Sequence, residues 1–176
     1  MKYTILIFVV CTFIFIYQNA NPQLTENLVL SSKNIFGLFT YMFAHANMFH
    51  FLLNMLVLFA FGIVVEEIFS YKMLVIFMAS GIIAGLFSLI FYESIIGASG
   101  AIYGLIGAAA LLKPQRETWL GIIGIPMPLM MVAIIYVMFD IVGLFFYTGI
   151  ANIAHLIGLL VGIAFAIKNK HLASPL

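Results

Sequence analysis

Ser99 stands where a polar loop ends and an apolar stretch begins, in the segment Gly97-Ala98-Ser99-Gly100. Another apolar stretch carries His155. A serine hydroxyl becomes a nucleophile when a nearby base takes its proton, and histidine is the commonest such base. The two residues therefore predict acyl-transfer chemistry, with Ser99 as the nucleophile and His155 as the general base and acid.

Further polar side chains at helical spacing extend this hypothesis. His50 and Asn54 are four residues apart, so they share one face of a helix, and both can donate hydrogen bonds. We expect them to form an oxyanion hole with the backbone N–H of Ser99, which lies at a predicted helix N-terminus. Tyr103 follows Ser99 by four residues and is expected to pack beneath the ring of His155.

The sequence predicts a Ser99–His155 dyad rather than a triad. Asp140 is the only acidic candidate inside the apolar stretches that could orient the base, and its position indicates the middle of a separate helix. Each polar residue also has a structural alternative, because a membrane serine commonly hydrogen-bonds its own helix and a lone histidine commonly pairs helices. The combination of residues, rather than any one of them, favours catalysis.

Other membrane chemistries fit the chain less well. The HExxH motif of zinc proteases is absent, and a two-aspartate protease would need a partner for Asp140. His45 and His50 are five residues apart, which would turn them away from each other on one continuous helix. We therefore expect no metal and no other cofactor.

The elements that position these residues are predicted to be membrane helices. The 176 residues are 65% hydrophobic and 7% charged, and their mean hydropathy is +1.24. A soluble domain of this length cannot bury so large an apolar fraction. We expect an all-α membrane protein with one domain over residues 1–176 and the lipid bilayer as its solvent. The net charge of +1 gives no indication of nucleic-acid binding, and the lone Cys11 cannot form an intramolecular disulfide.

Six apolar segments are predicted to span the bilayer. The fourth is short, which is tolerable if its first turn, holding Ser99, lines a water-filled cavity. The first resembles a signal peptide, but a poor cleavage site follows it, so we interpret it as a retained span. The predicted spans are Tyr3–Tyr17, about Met48–Val65, Met73–Phe91, Ser99–Leu112, Met127–Tyr147 and Asn152–Ile167.

Basic residues predict that both termini face the cytoplasm. In this orientation only Lys33 lies outside, and the inner side holds Lys2, Lys72, Lys113, Arg116, Lys168 and Lys170. The first outer loop is rich in apolar residues and is expected to lie in the interface or to pack on the bundle. Tyr71 and Trp119 suit the inner interface, and Pro126 and Pro128 suit the first turn of the fifth helix.

Small residues recur at four-residue spacing in two of the segments. Such stripes let two membrane helices approach closely. If the stripes face each other, Ser99 and His155 meet near the outer ends of touching helices. The stripes consist of Gly100, Gly104 and Ala108, and of Ala154, Gly158 and Gly162.

From about Thr40 to Gly162, the chain resembles the rhomboid intramembrane serine proteases, especially the compact six-helix bacterial form. Three motifs carry the resemblance. They are His45-x4-His50-x3-Asn54, Gly97-x-Ser99-Gly100-x-x-Tyr103, and Ala154-His155-x-x-Gly158-x3-Gly162.

The resemblance implies a six-helix rhomboid bundle that cleaves single-span membrane proteins in the outer part of the bilayer. It also implies a location in the bacterial inner membrane, with the active site facing outward. Ser99 matches the nucleophile and His155 the base, while His50 and Asn54 match oxyanion-hole positions. The resemblance gives Glu66 and His45 structural roles. The fifth helix and the loop Thr148–Ala151 are our candidates for a substrate gate.

The chain departs from the family pattern in its first outer loop. Many members carry a Trp-Arg pair a few residues before the position of Thr40, where this chain has Phe36-Gly37. The departure leaves the stability of this loop open. The alternative function is a catalytically silent rhomboid-like binding protein, although such relatives usually lack the serine or the histidine and this chain keeps both. A small transporter fits less well, because it would need an inverted repeat and the polar residues are expected to cluster at one outer depth instead.

Overall fold

The computed structural model describes residues 1–118, 125–146 and 149–172. Two antiparallel two-stranded sheets pair β1 (Leu30–Ser31) with β2 (Ser94–Ile95) and β3 (Glu117–Thr118) with β4 (Met127–Pro128). Short 3₁₀ turns cover Ile35–Phe39, Tyr41–Phe43 and Lys170–Leu172. The α-helices in these ranges are α1 (Lys2–Ala20), α2 (Gln23–Leu28), α3 (Met48–Phe69), α4 (Lys72–Ser88), α5 (Ser99–Leu112), α6 (Leu129–Gly143) and α7 (Asn152–Asn169).

Each of the six predicted spans contains a helix. By length and composition, α1, α3 and α7 can cross a membrane, while α4, α5 and α6 are shorter apolar helices. The chain is therefore a helical membrane protein. The crossing of the bilayer by all six helices stays a prediction.

Helix α5 forms the centre of the bundle, where it contacts α3, α4, α6 and α7. Every residue from Gly100 to Ala110 is buried. A helix that is apolar on all sides can lie against lipid or against other helices, and the small residues of α5 leave room for neighbouring helices. The central position of α5 places Ser99, its first residue, at one end of the molecular core.

The two stripes of small residues face each other, as predicted. A Cβ atom added to Gly158 would overlap the carbonyl oxygen of Gly100, and one added to Gly162 would overlap that of Gly104. The backbones of α5 and α7 thus touch directly at two successive turns. We call this the glycine interface; it fixes the position of α7 along α5.

The fifth predicted span is longer than the helix that forms there. Helix α6 begins at Leu129, because Met127 and Pro128 pair with β3 and the N–H of Leu129 donates to Arg116 O at 2.8 Å. Pro128 therefore precedes the first turn instead of belonging to it, and so does Pro126. The helix ends at Gly143, which places Asp140 in its last turn. Trp119, Tyr147 and Thr148, named in the sequence predictions, lie outside the described residues.

The first outer loop packs on the bundle, as expected. Leu30 and Met42 are fully buried, and the Tyr41 hydroxyl donates to Gly81 O at 2.6 Å. By contrast, Phe36 is 84% exposed and Phe39 is 56% exposed. The loop thus has an inner face that joins the core and an aromatic outer face.

Candidate active site

Ser99 is positioned by a tight turn that leads into α5. Gly97 has a φ of +123°, a conformation that side-chain-bearing residues rarely adopt. Its N–H donates to Tyr41 O at 2.9 Å, which anchors the turn on the first outer loop. A Cβ on Gly97 would lie 2.6 Å from Nε2 of His50, so glycine also allows this imidazole to approach the turn. Ser99 itself is half-buried at the first position of the helix.

His155 lies in the first turn of α7 and is stacked on Tyr103. The two ring centroids are 4.3 Å apart, with an interplanar angle of 11°, as the spacing of Tyr103 from Ser99 predicted. Both side chains are buried, at 8% and 9% exposure. The phenol ring therefore fixes the plane of the imidazole.

The prediction that no carboxylate is placed to orient His155 is wrong. Asp140 Oδ1 lies 2.7 Å from His155 Nδ1, and both side chains are buried. The error came from the length of α6. A helix reaching Tyr147 would hold Asp140 a turn further from its end, whereas the helix that ends at Gly143 brings Asp140 beside the first turn of α7.

The glycine interface brings the starts of α5 and α7 together. The ideal Cβ position of Gly100 lies 3.6 Å from Ala154 O and 3.7 Å from Ala154 Cβ, so the neighbours of Ser99 and His155 are in contact. The hydrogen bonds of His155 are with Asp140 through the ring and with Ala151 through the backbone N–H. A bond between the Ser99 hydroxyl and His155 Nε2 stays a prediction.

His50 and Asn54 lie on the start of α3, at the same end of the molecule. The helix begins at Met48 because the Asn47 side chain accepts a hydrogen bond from the N–H of His50 at 2.9 Å. The Asn54 amide donates one hydrogen to His50 O at 2.8 Å and keeps a second hydrogen for another acceptor. The imidazole of His50 is close enough to His155 for an electrostatic interaction.

His45 is in contact with His50, contrary to the geometry we assumed. It precedes α3 instead of belonging to it, and the two rings meet edge to face with centroids 5.4 Å apart. Both ring nitrogens of His45 are buried and have no hydrogen-bond partner in the described part of the chain. Burial lowers the pKa of His45 from 6.5 to about 3, so the ring is neutral. The backbone of His45 is held by Gln18, which accepts from its N–H at 3.1 Å.

A metal site needs several ligating side chains around one point. Within residues 1–118, 125–146 and 149–172, no group of three or more His, Cys, Asp or Glu side chains is arranged to hold a metal ion. The site near Ser99 consists of hydroxyl, imidazole, amide and carboxylate groups that can act on their own. Such a set supports nucleophilic and acid–base chemistry.

Glu66 lies at the opposite end of the bundle, where it anchors α1 to α3. Its carboxylate accepts hydrogen bonds from Tyr3 N at 3.0 Å, Thr4 N at 2.8 Å and Thr4 Oγ1 at 2.7 Å. These N–H groups belong to the first turn of α1, where no partner within the helix exists. The structural role that the resemblance gave to Glu66 thus has a physical basis.

Sequence reasoning named Asp140 but placed it away from His155, and it missed two residues that hold the backbone near the site, Gln18 and Tyr41. Gln18 and Tyr41 form hydrogen bonds with residues far from them in the sequence, and no local sequence pattern indicates such bonds. Asp140 had a usable signal, because Gly143 is a common type of residue at helix ends. Ending the fifth helix there would have moved Asp140 into its last turn.

Taken together, the geometry defines a class: a helical membrane protein with a serine, a histidine and hydrogen-bond donors gathered at one end of an apolar bundle. The rhomboid domain model matches residues 32–170 of the chain. The chain is also similar to RHOMBOID-like protein 1 of Arabidopsis thaliana, with 35% identity over 99 residues, which cover 54% of this chain and 25% of that protein. The chain belongs to the rhomboid family.

Proposed function

We propose that this protein is an intramembrane serine endopeptidase that cleaves single-span membrane proteins within or near the outer part of the bilayer. The main support is the contact between the starts of α5 and α7, together with the stacking of His155 on Tyr103. Family membership adds support, since rhomboid domains are generally proteases of this type.

The chemistry assigned to the site is acyl transfer. Ser99 Oγ attacks the scissile carbonyl carbon while its proton passes to His155 Nε2. The carbonyl π electrons move to the oxygen, which accepts hydrogen bonds from the Ser99 N–H, His50 and the second amide hydrogen of Asn54. The C–N bond then breaks as His155 returns the proton to the leaving amine. Water, deprotonated by His155, hydrolyses the acyl-enzyme and restores Ser99.

The proposed topology has six spans, with both termini in the cytoplasm and the site facing outward, in a bacterial inner membrane. The substrate would be a transmembrane helix that unwinds locally, because a helical peptide bond hides its carbonyl in the hydrogen-bond ladder. Glycine or proline near the cut would lower the free energy of unwinding.

Helix α6 is our candidate for the gate that admits this substrate. An apolar cavity of about 210 Å³ lies between α6 and the α5–α7 pair. Its lining includes Gly107, Met130, Ala133, Val137 and Leu159. Side chains of α6 that do not line this cavity, including Met131 and Phe139, are more than half exposed and would contact lipid. The part of α6 before Asp140 has this cavity behind it and lipid in front, so it can move with little loss of packing.

The test is cleavage of a model transmembrane substrate in liposomes by wild type and Ser99→Ala. We expect cleavage by wild type and none by the variant. Ser88→Ala is the matched control, because Ser88 is a membrane serine whose hydroxyl only donates to Ala84 O in its own helix. Equal cleavage by wild type and Ser99→Ala would refute the assignment of Ser99.

A catalytically silent binding protein is the rival reading. A fluorophosphonate probe separates the two, since it reacts with a serine only when a base activates it. We expect labelling of wild type and no labelling of His155→Ala. A wild type that is not labelled, or is labelled no more than His155→Ala, would favour the binding protein.

A further inference from the structure

We infer that Asp140 is a positioning residue that completes a Ser99–His155–Asp140 triad, so the base is held by a carboxylate as well as by ring stacking. This inference rests on the proposed protease function. It replaces the dyad that the sequence indicated and adds a catalytic task to α6.

The contact has the geometry that such a role needs. Asp140 Oδ1 lies 2.7 Å from His155 Nδ1, within the range of a charge-assisted hydrogen bond. A carboxylate at Nδ1 holds the proton on that nitrogen and leaves Nε2 free to accept one from Ser99. Tyr103, stacked on the ring, fixes its plane, while Asp140 fixes its rotation within that plane. The two constraints are complementary.

The burial of Asp140 points in the same direction. Its side chain is 4% exposed, and an isolated carboxylate in an apolar bundle is strongly unfavourable. Its Oδ2 has no hydrogen-bond partner among the described residues, although the Tyr103 hydroxyl is near enough to interact with the carboxylate. His155 is therefore the main compensation for this charge. If this buried pair served only the stability of the fold, apolar side chains of similar size would often stabilise the fold equally well or better.

The inferred role of Asp140 is to stabilise charge, and it involves no proton transfer to the carboxylate. When the Ser99 proton reaches Nε2, the ring becomes an imidazolium, and Asp140 offsets this charge without accepting a proton. The other titratable groups near His155 include Tyr103 on α5, Tyr136 beside Tyr103 on α6, and His50 on α3. Asp140 is the carboxylic acid among these groups.

Asp140→Asn tests the inference, because it keeps the size of the side chain and removes its charge. We expect kcat to fall at least about tenfold, against the ~10⁴-fold loss known for soluble triads, with KM nearly unchanged. The acid limb of the pH–rate profile should move to lower pH, because an amide stabilises an imidazolium less than a carboxylate does. Glu67→Gln, at the far end of α3, is the matched carboxylate-to-amide control and should keep the wild-type profile.

A measurement on the wild type keeps the inference testable if Asp140→Asn does not fold. The ¹⁵N spectrum of histidine-labelled protein, with His155 assigned by its loss in His155→Ala, should show the neutral ring protonated on Nδ1. Protonation on Nε2 would overturn the inference. So would an Asp140→Asn variant with the wild-type kcat at every pH while Ser99→Ala is inactive. Failure of the proposed function is distinct, because the wild type would then neither cleave nor react with fluorophosphonate.

Discussion

Single side chains at this site divide into those that react and those that stabilise charge. Ser99 and His155 belong to the first group in our proposal, and His50 and Asn54 to the second. The hydrogen bond from Asn54 to His50 O occupies one amide hydrogen and orients the other. The loss of a reacting group and the loss of a stabilising group should therefore differ in size.

Asn54→Ala should lower kcat by about 10²–10³-fold and leave measurable cleavage, because one oxyanion donor is lost. Substrate cleavage in liposomes measures this effect. The matched control is Asn169→Ala, because Asn169 makes the same kind of hydrogen bond, to Phe165 O at 2.9 Å, at the far end of α7. If Asn169→Ala is as impaired as Asn54→Ala, the lower kcat comes from a weakened helix and not from a lost hydrogen bond to the oxyanion.

His45 should make the protein less stable in mild acid. Its pKa is lowered to about 3 in the fold, so below pH 6.5 the unfolded chain binds a proton that the folded protein does not. Stability present above pH 6.5 is then lost as the pH falls. Equilibrium unfolding in mixed detergent micelles between pH 8 and pH 5 should show a smaller loss for His45→Phe, which suits the neighbouring Phe15 and Phe51 rings. His171→Gln changes an exposed histidine and should behave as wild type; equal pH dependence of all three would contradict the prediction.

The nature of the residues at the site could be predicted from the sequence, but not all of their contacts. The stacking of His155 on Tyr103 and the contact between the two stripes were predicted correctly, because helical spacing and small-residue stripes are local patterns. The position of Asp140 depended on where α6 ends, and that of His45 on where α3 begins. Helix ends are set by capping and strand pairing with distant residues, which apolar periodicity does not reveal.

At the scale of elements, α5 and α7 form the unit that holds the site, and the first outer loop supports it. The glycine interface leaves no room for even a methyl group at Gly158 or Gly162. The loop is joined to the turn before Ser99 by β1–β2 pairing and by the Tyr41–Gly97 hydrogen bond. Both contacts lie away from the reacting atoms, so their variants should act through position.

Gly158→Ala should abolish or strongly reduce activity, because the added methyl overlaps Gly100 O and pushes α7 away from α5. Cleavage and fluorophosphonate labelling should fall together. Gly62→Ala on α3 is the matched control: the three atoms nearest to its ideal Cβ belong to side chains, the closest being Met73 Cε at 3.1 Å, and such side chains can shift. A fully active Gly158→Ala would show that the two helices can separate without harm.

Asn34 links three parts of the first outer loop by hydrogen bonds. Its amide donates to Asn27 O at 2.8 Å and to Val29 O at 3.0 Å, and its oxygen accepts from Gly37 N at 3.3 Å. Asn34→Ala should therefore lower the free energy of unfolding by about 1–3 kcal/mol, measured in mixed micelles. Asn19→Ala removes a single bond on the exposed side of α1 and should have a smaller effect. Equal losses would contradict the role of Asn34.

At the scale of the whole molecule, the polar contacts gather at the two ends of an apolar bundle. One end holds the site and the first outer loop. The other holds Glu66 with the start of α1, and Glu67 paired with Arg116. Six apolar helices could be predicted because their composition alone requires them to be buried or to face lipid. The orientation of the bundle depends on the membrane and is argued from charge alone.

Cysteine labelling can test this orientation, because the only cysteine of the chain, Cys11, is fully buried. We expect a membrane-impermeant maleimide to label Lys33→Cys in intact cells and Lys113→Cys only after permeabilisation. Both positions flank helices instead of lying inside them. The opposite pattern would place the active site on the cytoplasmic side. Labelling of the unmodified protein serves as the background measurement.

The glycine interface also determines how the protein loses activity when the contact between α5 and α7 is disturbed. Its contacts repeat every four residues on both helices, so the next arrangement that lets the backbones touch is a slip of one whole repeat. Such a slip moves α7 by about 6 Å along α5, since each residue rises about 1.5 Å. Intermediate positions put backbone against side chains. The distance between Ser99 and His155 can therefore take only a few separate values. A variant that disturbs the interface should then give a mixture of fully active and inactive molecules instead of a population in which every molecule is equally weakened.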